Sequence, residues 1–309
     1  MRPAVAAMPE APVRITDPAD PRLADYASLT DATLRKRYEH RQGVLIAEGP
    51  NPVRRLLSSP YPVRSLLLAE ERVAEQADLI AELARRADPP PVYVVTRELL
   101  VQLVRYRLHQ GVIACGARRP PLAPEQVLAA ARRLLVLEGL GDHENLGALF
   151  RSARALGVDG VLLAPDCADP LYRRSVRVSM GHVLHVPFAR CPDLAATLGE
   201  LRAADIEVVA LTPAPDAEDL DTLEATDRMA LLLGAEGPGL SVAAQAAADR
   251  RVRIRLADGV DSLNVATAGA IALHALRRAS RQPSAGRRGR ARSSRSPEAG
   301  DVQVGKPRS

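Results

Sequence analysis

A series of short apolar runs between residues 127 and 279 restricts the possible folds more than any other feature. The runs LLVLEGL, GVLLA, IEVVAL and MALLLGAE are apolar at consecutive positions, and amphipathic stretches such as DLAATLGELRAA separate them. Strands of this kind are buried on both faces, as in a parallel sheet covered by helices on each side. The sequence therefore predicts an α/β domain with a parallel sheet over residues 127–279.

The rest of the chain divides into a second domain and three connecting or terminal segments. Residues 14–116 carry apolar runs such as VLIAEG and PVYVVT that alternate with helical patterns, which predicts a small α/β domain. Three prolines in residues 117–126 indicate a linker. Residues 1–13 and the Arg/Ser/Gly/Pro-rich tail 280–309 lack apolar periodicity, so we expect both to be disordered.

Composition argues against several classes of protein. No apolar run approaches the roughly 20 residues of a membrane span, and prolines interrupt the N-terminal residues before a signal-peptide core can form. We therefore expect a cytoplasmic protein with no membrane contact. The three cysteines form no CxxC pair and the six histidines no HExxH pair, so neither a disulfide framework nor a metal site is predicted.

Polar or glycine-rich segments follow the strands of the predicted parallel sheet. These segments read EGLGDHEN, TPAP, GAEGPGLS and ADGVDSLN. Ligands of open parallel sheets bind outside the carboxyl ends of the strands. The four segments are therefore the expected location of the functional site.

The stretch LLLGAEGPGLS, residues 231–241, has the layout of a phosphate-binding loop but not its chemistry. A phosphate loop needs a Lys after its last Gly, and a dinucleotide loop needs a third Gly that packs a helix on a strand. Neither is present. The only charge in the loop is Glu236, an anion that would repel a polyphosphate, so another ligand is expected.

The stretch ENLGALFRSARALG fits an ordinary capped helix and also a functional site. Asn145 is a suitable N-cap, and Gly157 is suitable for the helix end. Gly147 costs about 1 kcal/mol against Ala in a helix, so a ligand or another backbone is expected to approach closely there. Arg151 lies next to the apolar stripe of this helix.

The stretch DSLNVATAGAIALHAL offers the same two interpretations. Ser262 can cap the helix that follows, which would be a purely structural role. Asn264, near the carboxyl end of a strand, can instead present its amide to a substrate. The small residues after it suit close packing of helices or of protomers.

Three of these stretches, in this order, resemble the motifs of the SpoU/TrmH family of RNA ribose 2′-O-methyltransferases: NLGALFR (145–151), LLLGAEGPGLS (231–241) and DSLNVATAGAIALHAL (261–276). The stretch RVSMGHVLHVPF (177–188) is also similar to that family. Residues 14–116, with IAEGPNPVRRLL and HQGVIA, resemble the substrate-binding domain that precedes the catalytic domain in many members. The resemblance implies a C-terminal parallel-sheet SPOUT domain with a trefoil knot, preceded by a small α/β RNA-binding domain.

The resemblance also implies a cofactor, S-adenosylmethionine, held in a bent shape by the knot loops. A cationic sulfonium suits an anionic Glu236. The positions that match the cofactor contacts of the family are Gly234, Ile254, Leu263, Leu211 and Thr212. Arg255 stands where a proline is common after that Ile, which is expected to alter the loop.

By resemblance, Arg151 is the catalytic residue, Asn145 and Asn264 position groups around it, and Glu236 and Ser262 complete the polar surroundings. A free-base Arg conflicts with a guanidinium pKa above about 12. We therefore interpret Arg151 as a cation that grips the phosphate next to the target and stabilises negative charge developing on O2′. No metal is implied.

RNA is the implied partner, with ribosomal RNA favoured over transfer RNA, and the family implies a homodimer. The helix face expected to pair is Ala266, Gly269, Ala270 and Leu273. Two local basic clusters are candidate RNA contacts or simply solvated faces: Arg35, Lys36, Arg37 and Arg41, and Arg173, Arg174 and Arg177. The tail 280–309 has eight Arg or Lys and two acidic residues, a net +6, which is expected to add sequence-independent phosphate contacts.

Two other classes of function stay open at this point. One is a catalytically silent RNA-binding or ribosome-assembly factor on the same fold, whose signature would be the loss of Arg151, Asn145 or Asn264. All three are present. The other is a nucleotide-utilising enzyme, which the missing Lys in the glycine-rich loop weakens.

Overall fold

The computed structural model describes residues 11–106, 108, 110–129, 131–224 and 226–279. Most of the N-terminal segment predicted to be disordered and the whole basic tail 280–309 lie outside this part of the chain. Val13, the last residue of that N-terminal segment, already forms a strand with Arg14. Within the described ranges, no helix combines the length and apolar character needed to cross a membrane.

The first domain is a mixed five-stranded sheet with helices on both faces. Its elements are β1 (Val13–Arg14), α1 (Ala32–Gln42), β2 (Val44–Glu48), α2 (Pro50–Leu57), β3 (Val63–Ala69), α3 (Ala77–Ala84), β4 (Val92–Val95), α4 (Arg97–Val104) and β5 (Val112–Ala117). The strand order is β1-β4-β3-β5-β2. Strand β5 is antiparallel to both of its neighbours, whereas the β1, β4 and β3 pairs are parallel.

The second domain is a seven-stranded sheet in which every described strand pair is parallel. Its elements are α5 (Pro124–Leu128), β6 (Arg133–Leu137), α6 (His143–Leu156), β7 (Gly160–Leu163), α7 (Arg173–Val178), β8 (Phe188–Arg190), α8 (Leu194–Ala203), β9 (Glu207–Leu211), β10 (Glu218–Asp219), β11 (Met229–Leu233), α9 (Val242–Ala247), β12 (Arg250–Arg253) and α10 (Val265–Ala279). The strand order is β10-β12-β9-β11-β6-β7-β8.

The central strand β11 shows why the apolar runs do not alternate. Leu231 and Leu233 belong to one core cluster, whereas Ala230 and Leu232 belong to another. Successive side chains of a strand point to opposite faces of its sheet, so both faces of β11 are buried. The predicted α/β fold with a parallel sheet is confirmed.

The predicted linker, residues 117–126, is more structured than three prolines suggest. Ala117 is the last residue of β5, and α5 begins at Pro124. Pro is well suited to the first helical position because its missing N–H would have no partner there. The irregular connection is therefore limited to residues 118–123.

A buried ion pair joins the two domains. Arg173 on α7 donates from Nη1 to Glu48 Oε1 at the end of β2 over 2.9 Å, and the two side chains are only 10% and 3% exposed. The centre of the Arg173 guanidinium lies 5.6 Å from the ring centroid of Tyr106. A second link runs from Arg118 Nη2 to Asp169 Oδ2 at 2.7 Å.

These contacts exclude Arg35 and Arg173 from both interpretations of the basic clusters, as RNA contacts and as solvated faces. Arg173 is held in the seam between the domains, and Arg174 and Arg177 are exposed. Arg35 is also buried and lies 3.3 Å from Glu39 Oε1. Burial raises the pKa of Glu39 to about 7, although Arg35 and Arg118 oppose the rise. A charged residue buried this deeply needs a partner inside the protein, so Arg35 and Arg173 are structural.

The helix face expected to form a dimer is also turned inward. A Cβ at Gly269 would lie 2.5 Å from Leu149 Cδ2 and 2.8 Å from Leu233 Cδ1, so α10 packs on α6 and β11 of its own domain there. Ala266 and Leu273, on the same face, are buried. The small residues serve internal packing.

Removal of Arg173 tests the role of the ion pair between the domains. Arg173→Ala should lower the free energy of unfolding by about 3–5 kcal/mol, because it leaves the Glu48 carboxylate buried without its cationic partner. Arg174→Ala, at the next and exposed position of α7, is the matched control and should change stability by less than about 0.5 kcal/mol. The double variant Glu48→Leu/Arg173→Met should recover most of the loss in urea titrations. Equal stability of the two single variants would contradict a structural role.

Candidate active site

A cavity of about 590 Å³ opens at the carboxyl edge of the parallel sheet. Its wall is formed by segments that follow β9, β11 and β12, together with the start of α10. The five residues matched to cofactor contacts all lie in this wall: Gly234, Ile254, Leu263, Leu211 and Thr212. The fold thus brings residues that lie up to 52 positions apart in the sequence, from 211 to 263, into the wall of one cavity.

One side-chain amide connects the three motifs at the mouth of this cavity. Asn264 Nδ2 donates to Asn145 Oδ1 over 2.8 Å and to Glu236 Oε1 over 2.7 Å. Asn264 Oδ1 accepts from the backbone N–H groups of Ala266 and Thr267. Each of the two amide hydrogens and the oxygen therefore has a partner, and the orientation of the amide is fixed.

The helix caps differ from those predicted. Asp142, not Asn145, caps α6, since Asp142 Oδ1 accepts from the N–H groups of Glu144 and Asn145. Likewise Asn264, not Ser262, caps α10. The cap at Asp142 frees the Asn145 side chain to reach Asn264. The predicted end of α6 at Gly157, with φ +78°, is confirmed.

Of the other predicted catalytic residues, Glu236 and Ser262 lie in the cavity wall but Arg151 does not. Arg151 is exposed on α6, six residues beyond Asn145, which corresponds to a rise of about 9 Å along the helix. Among the described residues, Arg151 has no hydrogen bond to Asn145, Asn264 or Glu236. The structure therefore brings four of the five residues together and leaves Arg151 outside.

Comparison with known proteins agrees with this arrangement. Residues 132–274 match the SpoU rRNA methylase family, and residues 46–120 match the RNA 2′-O ribose methyltransferase substrate-binding domain. An uncharacterized tRNA/rRNA methyltransferase of Mycobacterium tuberculosis is 42% identical over 84% of this chain and 90% of its own length. The 23S rRNA (guanosine-2′-O-)-methyltransferase RlmB of Bordetella pertussis is 33% identical over 72% of this chain and 91% of its own length.

The chain belongs to the SpoU rRNA methylase family. Its fold is similar to the AdoMet-bound rRNA methyltransferase of Sinorhizobium meliloti, with a TM-score of 0.73 and 27% identity over 86% of this chain and 97% of that one. It is also similar in fold to the SpoU methyltransferase AviRb of Streptomyces viridochromogenes, with a TM-score of 0.70. The family resemblance drawn from the motifs is confirmed.

Glycines in this SpoU family member allow backbone segments to approach one another closely. A Cβ at Gly234 would lie 2.3 Å from the carbonyl carbon of Gly239, because the glycine-rich loop folds back onto its own start. A Cβ at Gly147 would lie 2.8 Å from the backbone oxygen of Ser175. The close approach predicted at Gly147 is therefore made by the backbone of α7.

Glu138 supports the glycine-rich loop of the cavity wall, and the sequence analysis missed this role although Glu138 begins one of the segments expected to carry the site. Its Oε1 accepts from Ser241 Oγ over 2.7 Å, and its Oε2 accepts from Ser241 N over 2.8 Å. This pair of bonds holds the far end of the glycine-rich loop against the end of β6. The sequence did contain a signal for this role, namely an acidic residue directly after a buried strand.

Arg255, which stands where a proline is common in the family, does not line the cavity. Its Nη2 lies 2.5 Å from Asp219 Oδ2 in β10. The neighbouring Ile254 keeps its place in the cavity wall. The ion pair with the edge strand gives this loop an anchor of its own.

Substitution of Glu138 tests its hold on the loop. Glu138→Gln has one acceptor oxygen left and no charge, so it should lower the free energy of unfolding by about 1.5–3 kcal/mol, as expected for a hydrogen bond to a charged group. The amide N–H of Ser241 should then exchange with deuterium faster. Glu200→Gln, an exposed substitution on α8, is the control and should change neither quantity. Unchanged exchange at Ser241 in Glu138→Gln would contradict the assignment.

Proposed function

We propose that this SpoU family member transfers the methyl group of S-adenosylmethionine to a ribose 2′-hydroxyl of RNA, with ribosomal RNA as the substrate class. The observation that carries the proposal is the joining of all three motifs at one cavity through Asn264. The name of one relative supports this substrate class, since it is the 23S rRNA (guanosine-2′-O-)-methyltransferase RlmB of Bordetella pertussis. We propose a cytoplasmic location on the same basis.

The chemistry of the cavity wall fits this cofactor. Leu211, Ile254 and Leu263 offer apolar surface for an adenine, and the glycine-rich loop offers backbone groups. Among the described residues that line the wall, only Glu236 is charged, which favours a cationic sulfonium and opposes a polyphosphate. This charge argues against a nucleotide-utilising enzyme. When bound, S-adenosylmethionine supplies an electrophilic methyl group.

The side chains around the cavity would position the reacting groups. The transfer forms a bond from O2′ to the methyl carbon and breaks the carbon–sulfur bond, so the three atoms must be aligned. Asn264 holds Asn145 and Glu236 at the cavity mouth. Asn145 Nδ2 and Glu236 Oε2 have no bond to other described residues, and both can therefore contact the RNA or the cofactor.

Arg151 is proposed to act on the RNA rather than on the cofactor. It lies outside the cavity wall, it is exposed, and a guanidinium stays charged at neutral pH. It would bind the phosphate next to the target ribose and stabilise the negative charge that develops on O2′. A phosphate oxygen or solvent would accept the hydroxyl proton.

Transfer of a labelled methyl group tests the function. Purified protein with S-adenosylmethionine labelled in the methyl group should modify an unmodified 23S rRNA transcript, without added metal, and should not modify DNA of the same sequence. The difference follows because only RNA carries the acceptor hydroxyl. Equal labelling of the DNA would refute the proposal. RNA binding without any transfer would support the catalytically silent alternative.

Because Arg151 is proposed to act on the RNA and the cavity to bind the cofactor, a specific effect of Arg151→Ala is expected. Methyl transfer in single-turnover assays should fall by about 100-fold or more, as for loss of a group that stabilises developing charge. The affinity for S-adenosylmethionine, measured by calorimetry, should change less than about twofold, because Arg151 does not line the cavity. A parallel loss of cofactor affinity would contradict this role.

We also propose a homodimer that pairs through the exposed face of α10. Thr267, Ile271 and His274 are exposed and lie on one side of the helix, and Ile271 is 41% exposed despite its apolar side chain. A two-fold pairing would cover the same face on both chains. We also propose that this domain contains the trefoil knot that the family resemblance implies.

Ile271→Glu should convert the dimer to monomers in sedimentation experiments, since it would bury an unpaired charge at the interface. Gly269 is unsuitable for this test because it packs on its own core. Val242→Glu, at a position 85% exposed on α9, is the control and should leave the dimer intact. A wild-type chain that sediments as a monomer at micromolar concentration, yet turns over normally, would refute the dimer.

A further inference from the structure

Residues 180–185 form a bridge between the two domains, packed between α2 of the first domain and α6 of the second. Arg55 on α2 donates from Nη1 to the backbone oxygen of Met180 over 2.5 Å. His185 Nε2 lies 2.9 Å from the backbone oxygen of Arg55. Gly181, with φ +82°, makes this approach possible, because a Cβ there would lie 3.0 Å from Pro52 Cα. The bridge is thus fixed to α2 by two hydrogen bonds from side chains to backbone oxygens and by the close approach at Gly181.

Arginines from both domains lie around this bridge, close enough to act on the imidazole of His182. We call Arg55, Arg151, Arg154 and His182 the seam cluster. Arg151 and Arg154 are exposed and lie three residues apart on α6, so they share a side of that helix. Burial lowers the pKa of His182, and the charges of Arg55, Arg151, His185 and Arg154 lower it further. Several positive groups therefore act on the same imidazole.

The seam cluster has no internal counter-charge. Among the described residues, Arg55, Arg151 and Arg154 form no ion pair with a carboxylate. By contrast, Arg54, the neighbour of Arg55 on α2, forms an ion pair with Asp78 at 2.8 Å. Like charges held together repel one another, and an anion from outside would remove that repulsion. Both domains contribute to the cluster, so it exists only while they are docked.

We propose that the seam cluster binds a backbone phosphate of the RNA strand beside the target ribose. The inference rests on the proposed function, because it takes Arg151 as the group next to the target. It adds Arg154 and His182 from the catalytic domain and Arg55 from the first domain. The first domain then holds the RNA at the site of transfer itself. Arginine forks and an imidazole N–H suit phosphate oxygens, and a phosphate follows every nucleotide of the strand.

Binding of a labelled RNA by the full chain tests the seam cluster. The probe is a fluorescein-labelled single-stranded RNA of 20 nucleotides in mixed sequence, titrated at several salt concentrations. Arg154→Gln should weaken binding about tenfold, the low end for a hydrogen bond to a charged group. The slope of log K against log salt should fall in magnitude by about 0.7, the value for one phosphate contact on a single strand. His182→Gln should weaken binding in the same direction.

Arg202→Gln is the matched control for Arg154→Gln. Both arginines are exposed in the last turn of a helix of the second domain. Side chains of α6 belong to one core cluster and those of α8 to the cluster on the opposite face of the sheet. The control removes the same charge far from the seam cluster, so its RNA affinity and salt slope should match the wild type. Thermal unfolding of each variant checks that the fold is kept.

The outcomes separate this inference from the proposed function, because binding requires no turnover. Equal binding and equal salt slopes for Arg154→Gln and Arg202→Gln, in a protein that methylates RNA, would overturn the seam cluster alone. A wild-type protein that methylates no RNA, yet shows the loss for Arg154→Gln, would overturn the proposed function and support the cluster. In the methyl-transfer assay, Arg154→Gln should raise KM for the rRNA transcript and leave the affinity for S-adenosylmethionine unchanged.

Discussion

The side-chain amide of Asn264 is the contact on which the geometry of the site depends. Its oxygen must accept, since the groups it faces are backbone N–H groups at the start of α10, and its nitrogen therefore points to Asn145 and Glu236. A carboxylate at this position would keep the cap and lose both donors, and it would also face Glu236 with like charge. A hydroxyl would be too short to reach both partners. An amide is the side chain that can serve the cap and both partners together.

The parallel sheet makes such a contact possible. Asn145, Glu236 and Asn264 follow β6, β11 and β12, and parallel strands end at a common edge. The glycine-rich loop must then turn back sharply over the end of β11, which Gly234 permits because it has no Cβ to meet Gly239. Glu138 fixes the other end of the loop through Ser241. The position of Glu236 thus follows from backbone packing before any ligand is bound.

The sequence was sufficient for those features that depend on local pattern. Consecutive apolar positions predicted a parallel sheet buried on both faces, and the segments after the strands indicated where the cavity lies. The predicted N-cap of α6 was wrong because the side chains of Asp142 and Asn145 are equally able to cap a helix. Only the path of the chain before α6 decides between them. The role of Arg173 was beyond a local reading, because its partner Glu48 is 125 residues away. The inward face of Gly269 depended in the same way on Leu149 and Leu233, two residues of distant elements.

The cavity and the bridge at residues 180–185 carry charges of opposite sign, which matches what each is proposed to bind. In the part of the chain that the structure describes, the cavity wall carries a single charged residue, the anion Glu236, whereas the bridge at residues 180–185 is surrounded by arginines. A cationic sulfonium and an anionic RNA strand would therefore be drawn to different places, and neither would compete for the other's contacts. On the proposed function, the target ribose would lie between them, within reach of Asn145 at one end of α6 and Arg151 further along the same helix. The ion pair of Arg173 with Glu48 keeps the distance between the cavity and the bridge constant. It fixes α7 to the domain that supplies Arg55, and α7 packs against α6.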